Sequence, residues 1–446
     1  MTPTLAAIRF GLGLPASPAM PSPADMLAAL AGPDVAAAVW PGKGLAQVLP
    51  VYRTAHTARQ AARRGDVQKV AYRLKLRDAK DQADAGIKTT IARAVGAVDG
   101  FRERLVQFWT DHFTTEARFL IDAALPGALV EDAIRPAVAG RFADMLRGVT
   151  LQPAMLLYLD QVKSVGPNSR VGLRKGAGLN ENLARELIEL HTLGVAGRYT
   201  QADVHGAAEV LTGATMTPEE GFVFNPDWAE PGASQVMGQS YEGQGVGRIH
   251  ALLDDLAAHP DTGRHLARKL AVHFVSDIPD EGMVADMAAA YAASGVLLDV
   301  YAAMLNHPAA WGAVAEKARQ PFDFIVAALR ALAVPPEEIL AMGRGEFRRR
   351  IILPLRAMGQ EWGKPGGPDG WEEAAEMWIN SEGLAARITW AMDMPGRLGP
   401  LPDPRVLVTT ALGDHASERL IWAAGAAESP REGVGLILAS AEFNRR

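Results

Sequence analysis

The chain has 446 residues, 48 % of them hydrophobic and 22 % charged, so it is long enough for one large core or two to three ordinary domains. Its net charge of −6 lacks the basic surplus of a nucleic-acid-binding protein, and no run of about 18 apolar residues predicts a membrane span. The absence of cysteine excludes disulfides, thiol nucleophiles and cysteine-ligated metal centres.

Alanine-rich segments with a 3.6-residue period predict helices through most of the chain. The N-terminus has no cationic start followed by an apolar stretch, which predicts a cytoplasmic protein, or a periplasmic one if a leader has been removed. Short helices are expected near 24–31 and 34–40. The charged stretch 52–97 is expected to form one or two solvent-facing helices.

The next predicted helix, 99–115, carries one candidate catalytic histidine. Apolar spacing places the following residues on one buried face: Phe101, Leu105, Phe108, Trp109 and His112. His112 is therefore either a core histidine with one satisfied nitrogen or a ligand or acid/base group. Its neighbour Asp111 points away from that face and is expected to face solvent.

Helices are predicted near 127–147 and 152–160, and residues 161–180 form an unusually long connection without predicted secondary structure. Long connections in compact domains are usually functional or disordered. This one carries four cations that, with its backbone N–H groups, are candidates for holding phosphate or carboxylate: Lys163, Arg170, Arg174 and Lys175.

A helix predicted over 181–193, with Asn180 as N-cap and Gly194 after its C-terminus, carries the most polar stretch of the chain. Its helical spacing places four candidate catalytic residues on one stripe: Asn182, Arg185, Glu186 and Glu189. His191, a candidate ligand-binding residue, lies about 150° around the helix from Glu186. One helix therefore cannot supply a glutamate–histidine chelate, and a metal here needs ligands from another helix.

Three interpretations of this stripe stay open. Glu181–Arg185 and Arg185–Glu189 are both i, i+4 pairs, so the stripe fits a solvated ladder of ion pairs. It also fits a buried polar cluster that positions neighbouring helices, which the presence of Asn182 favours. The third interpretation is a catalytic or ligand site.

The helix that follows has Thr200 and Asp203 as a capping box and ends at Gly213. Residues 214–246 contain a few β-formers and predict a small hairpin or an irregular excursion. Further helices are expected at these positions: 246–258, 262–276, 281–294, 297–306, 309–332, 336–342, 345–360, 371–378, 381–391, 415–426 and 429–441. In the second of them, His265, Lys269 and His273 follow at i+4 steps, which predicts a basic face against an acidic neighbour or an anionic ligand.

Several segments together resemble the bacterial family called domain of unknown function 1800. They are, in chain order, RFGLG, FWTDHF at 108–113, NENLARELIELHTLG at 180–194, YTQADV at 199–204, LTG at 211–213, HPDTGRHLARKLAVHFVSD at 259–277, and GW at 370–371. The resemblance implies one helical domain over 1–446 and a partner protein encoded nearby, but no reaction. A sub-division into 1–213, 214–245 and 246–446 is a further candidate.

The chain departs from the family pattern in one region. Family members have a histidine where this chain has Ala229, and a lysine near the position of Ser234. If this histidine and lysine are catalytic in other family members, this chain is expected to lack that activity.

Two functions follow from these observations. The first is a hydrolase-like or metal-assisted enzyme whose site forms where the stripe, His112 and the 161–180 connection converge, with a divalent metal as a candidate cofactor. The second is a non-catalytic scaffold or binding protein, associated with the envelope or with polysaccharide, that acts with a partner protein. In that case the stripe is a structural cluster.

Overall fold

Helices dominate the computed structural model, which describes residues 3–14, 22–312 and 317–446. Helical residues make up 67 % of the structure, and the strands among the described residues form two short antiparallel hairpins. The all-α class with a small β component is therefore confirmed. Among the described residues, no helix is both long and apolar enough to cross a membrane.

The helices of the first part are α1 Pro3–Arg9, α2 Pro23–Ala31, α3 Val35–Val39, α4 Leu45–Ala61, α5 Asp66–Gly96, α6 Gly100–His112, α7 Leu125–Leu129, α8 Phe142–Thr150 and α9 Pro153–Tyr158. The middle part contains α10 Arg170–Lys175, α11 Asn182–Glu186, α12 Gln201–Leu211, α13 Val246–Ala258, α14 Pro260–Phe274, α15 Glu281–Ser294 and α16 Leu297–Asn306. The last part contains α17 Pro321–Ala331, α18 Pro336–Ala341, α19 Arg344–Phe347, α20 Leu353–Ala357, α21 Ala375–Trp378, α22 Ser381–Asp393, α23 Pro395–Leu398, α24 Pro404–Leu412, α25 Glu418–Ala426, α26 Pro430–Ala439 and α27 Ala441–Asn444.

The excursion between α12 and α13 forms two hairpins rather than one. β1 Ala214–Thr217 pairs with β2 Gly221–Phe224, with Thr215 opposite Val223. β3 Ser234–Val236 pairs with β4 Gln239–Tyr241. β3 packs against α12, so the second hairpin extends the helical core and does not form a separate sheet domain.

The structure differs from the sequence prediction in the following places. The 161–180 connection contains a 3₁₀ turn, Gln161–Lys163, and the helix α10, which Ser169 caps through the N–H of Gly172. The helix predicted over 309–332 begins only at Pro321, since proline favours the first turn of a helix, and 313–316 lie outside the described residues. Sequence reasoning missed α24 because its N-terminus lies in a Pro- and Gly-rich stretch.

The helix predicted over 181–193 is α11 followed by a π-helical turn, Leu187–Thr192. The N–H of Leu193 reaches the carbonyl of Ile188, five residues back, at 3.0 Å. The Thr192 hydroxyl donates to the Leu187 carbonyl at 2.6 Å and so competes with the regular backbone ladder. A π-helical turn contains one more residue than a regular α-helical turn. A sequence prediction based on a 3.6-residue period therefore cannot identify it.

Helix α6 lies at the centre of the molecule. Its predicted apolar face is buried, and so are Arg102, Glu103 and Arg104 on its other sides. These charges are tolerated because each has a partner. Glu103, for example, binds both Nη atoms of Arg135 at 2.8 and 2.6 Å.

The buried apolar side chains of the described residues form two clusters, and the apolar face of α6 belongs to the larger one. The larger cluster takes most of its members from α2 to α16, and the smaller one from the end of α5 and from α17 to α27. A cavity with a volume of about 570 Å³ lies between them, lined by residues of α4 to α7, α17 and the 360–371 segment. The predicted sub-division of the chain into domains stays a prediction.

Candidate active site

The polar stripe of α11 is a partly exposed ladder of ion pairs. Arg185 lies 3.3 Å from Glu181 and 3.1 Å from Glu189, and its side chain is 38 % exposed. Asn182 is exposed, so the argument that its presence favours burial is wrong. Its backbone N–H donates to the side-chain oxygen of Asn180 at 2.9 Å, which places Asn182 at the exposed start of α11.

Glu186 is half-buried beside this ladder. Burial, and then the charge of Glu189, raise its pKa, while Arg185 lowers it. Tyr199 from the turn between α11 and α12 donates a hydrogen bond to Glu189. Arg185 thus pairs with two of the three neighbouring carboxylates, and the stripe does not line the cavity.

The four predicted anion-binding cations face solvent. Lys163 pairs with Asp160 at 2.7 Å, and Arg170 pairs with Asp227 at 3.3 Å. Arg174 and Lys175 are exposed at the end of α10. Within the described ranges, none of the four forms a hydrogen bond or ion pair with the stripe or with His112, and the predicted convergence of these groups stays a prediction.

Three histidines cluster beneath the stripe. The rings of His191 and His265 lie 6.2 and 6.1 Å from that of His112. His112 donates through Nε2 to the backbone carbonyl of His191 at 3.2 Å, since a carbonyl only accepts. Burial, and then Lys269, lower the pKa of His191 to about 3 and that of His265 to about 4. All three imidazoles are therefore neutral at physiological pH.

Asp111, which the sequence places on a solvent face, instead contacts the 370–371 turn at the cavity wall. Its Oδ1 accepts the backbone N–H of Trp371 at 2.9 Å. Gly370 has φ +88°, and a Cβ there would lie 2.7 Å from Asp111 Oδ2. Burial raises the pKa of Asp111 to about 7; Trp371 and Lys269 oppose this rise, and the nearby carboxylates reinforce it.

Lys269 is the cation nearest this carboxyl group. It occupies the middle of the predicted basic face of α14, and within the described part of the chain its ammonium group has no hydrogen bond or ion pair. Burial lowers its pKa, which Asp111, Glu373 and Asp369 partly offset. The basic face thus meets an acidic neighbour, as its spacing predicts.

A fixed ion pair lies behind this site. Glu373 accepts from His273 Nδ1 at 2.5 Å and from Lys317 Nζ at 2.9 Å. His273 Nε2 faces Arg104 Nη2 at 3.0 Å, and because arginine only donates, Nε2 accepts and the ring proton is on Nδ1. Although burial favours the neutral acid, His273 and Lys317 lower the pKa of Glu373 to about 2.

The sequence signals for this site were weak but present. Asp111 and Gly370–Trp371 belong to two of the segments that carry the family resemblance, and Lys269 belongs to a third. Gly11, in the RFGLG segment, accepts a hydrogen bond from Arg104 at 3.2 Å. Spacing along one helix could not reveal that these segments meet in space.

Neither Ala229 nor Ser234 lines the cavity. Ala229 is buried, and the Ser234 hydroxyl accepts a hydrogen bond from Arg248. As for the candidate metal, no group of three or more His, Asp or Glu residues in the described ranges is arranged to hold an ion.

Comparison with known proteins finds one family. A family described as "Protein of unknown function (DUF1800)" matches residues 16–445. No curated protein and no solved structure matches the chain.

Proposed function

The chain belongs to the DUF1800 family, and we propose from the geometry of its cavity that it is a hydrolase in which Asp111 transfers the proton. The observation that carries the proposal is the carboxyl group of Asp111, held at a cavity wall with its pKa raised to about 7. A group with such a pKa is present in both protonation states near neutral pH, which suits general acid–base catalysis.

The surroundings of Asp111 supply the other requirements. The carboxylate takes a proton from water as that water attacks the substrate, and the acid returns it to the leaving group. Gln107 and Thr110 precede Asp111 on α6 and line the same cavity, so they are available to bind the substrate. Lys269 acts as a positioning residue, because its charge limits how far burial raises the pKa of Asp111.

The proposed reacting group therefore lies at the cavity wall and not on the stripe of α11. Glu186, the general base expected from sequence, lies beside Arg185 and outside the cavity lining. The metal-assisted version stays a prediction and is tested by assaying the enzyme with and without a chelator.

The test is hydrolysis of a panel of chromogenic esters, amides and glycosides by the parent and two carboxamide variants. Asp111→Asn should reduce turnover by about 10²–10⁴-fold, the usual contribution of a general acid or base. Glu186→Gln, the matched control, should leave turnover unchanged. Loss of turnover in Glu186→Gln alone would show that the reacting group lies on the stripe of α11. If the parent protein hydrolyses none of the substrates, the proposal is wrong.

The alternative function is a non-catalytic binding protein that acts with a partner protein encoded nearby. The ladder on α11 supports it, because Arg185 and its two carboxylate partners bind one another at the partly exposed surface and lie outside the cavity lining. A nucleic-acid partner is not proposed, given the net charge of −6. The cytoplasm is the proposed compartment, or the periplasm if a leader has been removed.

A further inference from the structure

The cavity has two chemically different parts. Polar groups come from the face of α6 that carries Asp111, together with Arg104, Gln107 and Thr110. The part bounded by α4, α5 and α7 is mainly apolar; its wall includes Val48, Ala83, Ile87, Ala124, Leu129 and Val130. Val48, Ala124 and Leu129 are buried members of the larger core, so this wall is rigid.

The charged residues of the apolar part are exposed or paired. Lys43 and Lys80 are exposed, Glu131 is held by the guanidinium of Arg93 at 2.6 Å, and Asp84 lies 3.5 Å from Arg344. Apart from Gln82 and Thr90, a ligand in this part therefore meets mainly methyl and methylene groups. An uncharged hydrocarbon chain is the chemistry that such a surface favours.

We infer that the substrate is an amphipathic acyl ester, with its hydrocarbon chain between α5 and α7 and its carbonyl group at Asp111. The inference rests on the proposed function for its chemistry and on the cavity for its ligand class. Water adds to the acyl carbonyl carbon as Asp111 takes one of its protons. The bond from the acyl carbon to the alcohol oxygen then breaks, the alcohol leaves with the proton from Asp111, and a carboxylic acid remains.

Binding of the product class tests this inference without requiring turnover. The probe is dodecanoate, and the signal is the tryptophan fluorescence of Trp362 and Trp371, which line the cavity. Ala83→Phe fills the apolar part and should weaken binding by about tenfold or more. Ala85→Phe makes the same change at an exposed position on α5 outside the lining, and should bind like the parent.

A chain-length series in the unaltered protein gives a second measurement that does not depend on the folding of a variant. Affinity should rise by about three- to fourfold per methylene from hexanoate to dodecanoate, because each added methylene is removed from water. Affinity that does not depend on chain length, or equal binding by Ala83→Phe, would overturn the inference. A response to maltohexaose instead of dodecanoate would assign the cavity to a glycan and would also overturn it.

Asp111→Asn separates this inference from the proposed function. That variant should bind dodecanoate at least as tightly as the parent, because it removes the partial negative charge of Asp111 beside the carboxylate of the ligand, while it loses turnover. If dodecanoate fails to bind but short-chain esters are hydrolysed in an Asp111-dependent way, the hydrolase stands and the acyl-chain ligand is wrong. If dodecanoate binds and no ester is hydrolysed, the ligand class stands and the hydrolase is wrong.

Discussion

Two regions of the molecule place carboxylates beside a cation, and they differ in their exposure to water. On α11, Arg185 lies between Glu181 and Glu189, and all three side chains are at least 22 % exposed. In the second region, Glu373 and Asp277 bind Lys317, whose side chain is 1 % exposed. Nearby, Lys269 has no ion pair among the described residues. The charge-rich motif of α11 thus stays in contact with water, whereas the large pKa shifts of Asp111 and Glu373 occur where the sequence motif is least conspicuous.

The largest expected difference between the regions is in stability. Glu373→Ala leaves the buried Lys317 with Asp277 as its remaining charge partner, and should lower the free energy of unfolding by about 2–3 kcal/mol. Urea denaturation measures this. The double variant Glu373→Met/Lys317→Met removes both charges and should recover most of the loss. A single variant as stable as the parent would contradict the buried pair.

The buried histidines should make stability depend on pH. The pKa of His191 is lowered to about 3, against about 6.5 in an unfolded chain, so between these values only the unfolded state binds the proton. The free energy of unfolding therefore falls as pH drops below 6.5, by about 2 kcal/mol at pH 5 for this group. His191→Gln should reduce the loss between pH 7 and 5 by that amount.

A substitution at Gly370 tests how closely the backbone of the 370–371 turn approaches the Asp111 carboxylate. Gly370→Ala adds a Cβ 2.7 Å from Asp111 Oδ2 at φ +88°. Gly366→Ala has a similar positive φ of +99° with no atom within 4 Å of the added Cβ, so it measures backbone strain alone. Gly370→Ala should cost about 1–2 kcal/mol more than this control in thermal unfolding. Equal costs would mean that the carboxylate can move aside freely.

The smallest effect is expected on the stripe. Glu189→Ala removes one partly exposed ion pair and should change the free energy of unfolding by about 0.5 kcal/mol or less. The change should shrink further in high salt because exposed charges are screened. A loss of several kcal/mol would show that the stripe is a buried cluster rather than a solvated ladder.

The sequence was sufficient to predict most of the helices and the residue pairs that lie within one helix. The apolar face of α6, the capping box of Thr200 and Asp203, and both ion pairs of Arg185 depend on spacing within one helix, and all are confirmed. The site at Asp111 was not predictable in this way. Its chemistry depends on a glycine turn about 260 residues further along the chain and on burial of α6 from all sides.

The pKa of Asp111 is the most direct test of the central claim. The ¹³C chemical shift of its carboxyl group can be followed by NMR between pH 3 and 9, with Asp111→Asn used to assign the signal. The structure predicts a titration midpoint of about 7. A midpoint near 4, the ordinary value for aspartate, would show a solvated carboxylate and would contradict its role as the acid–base group.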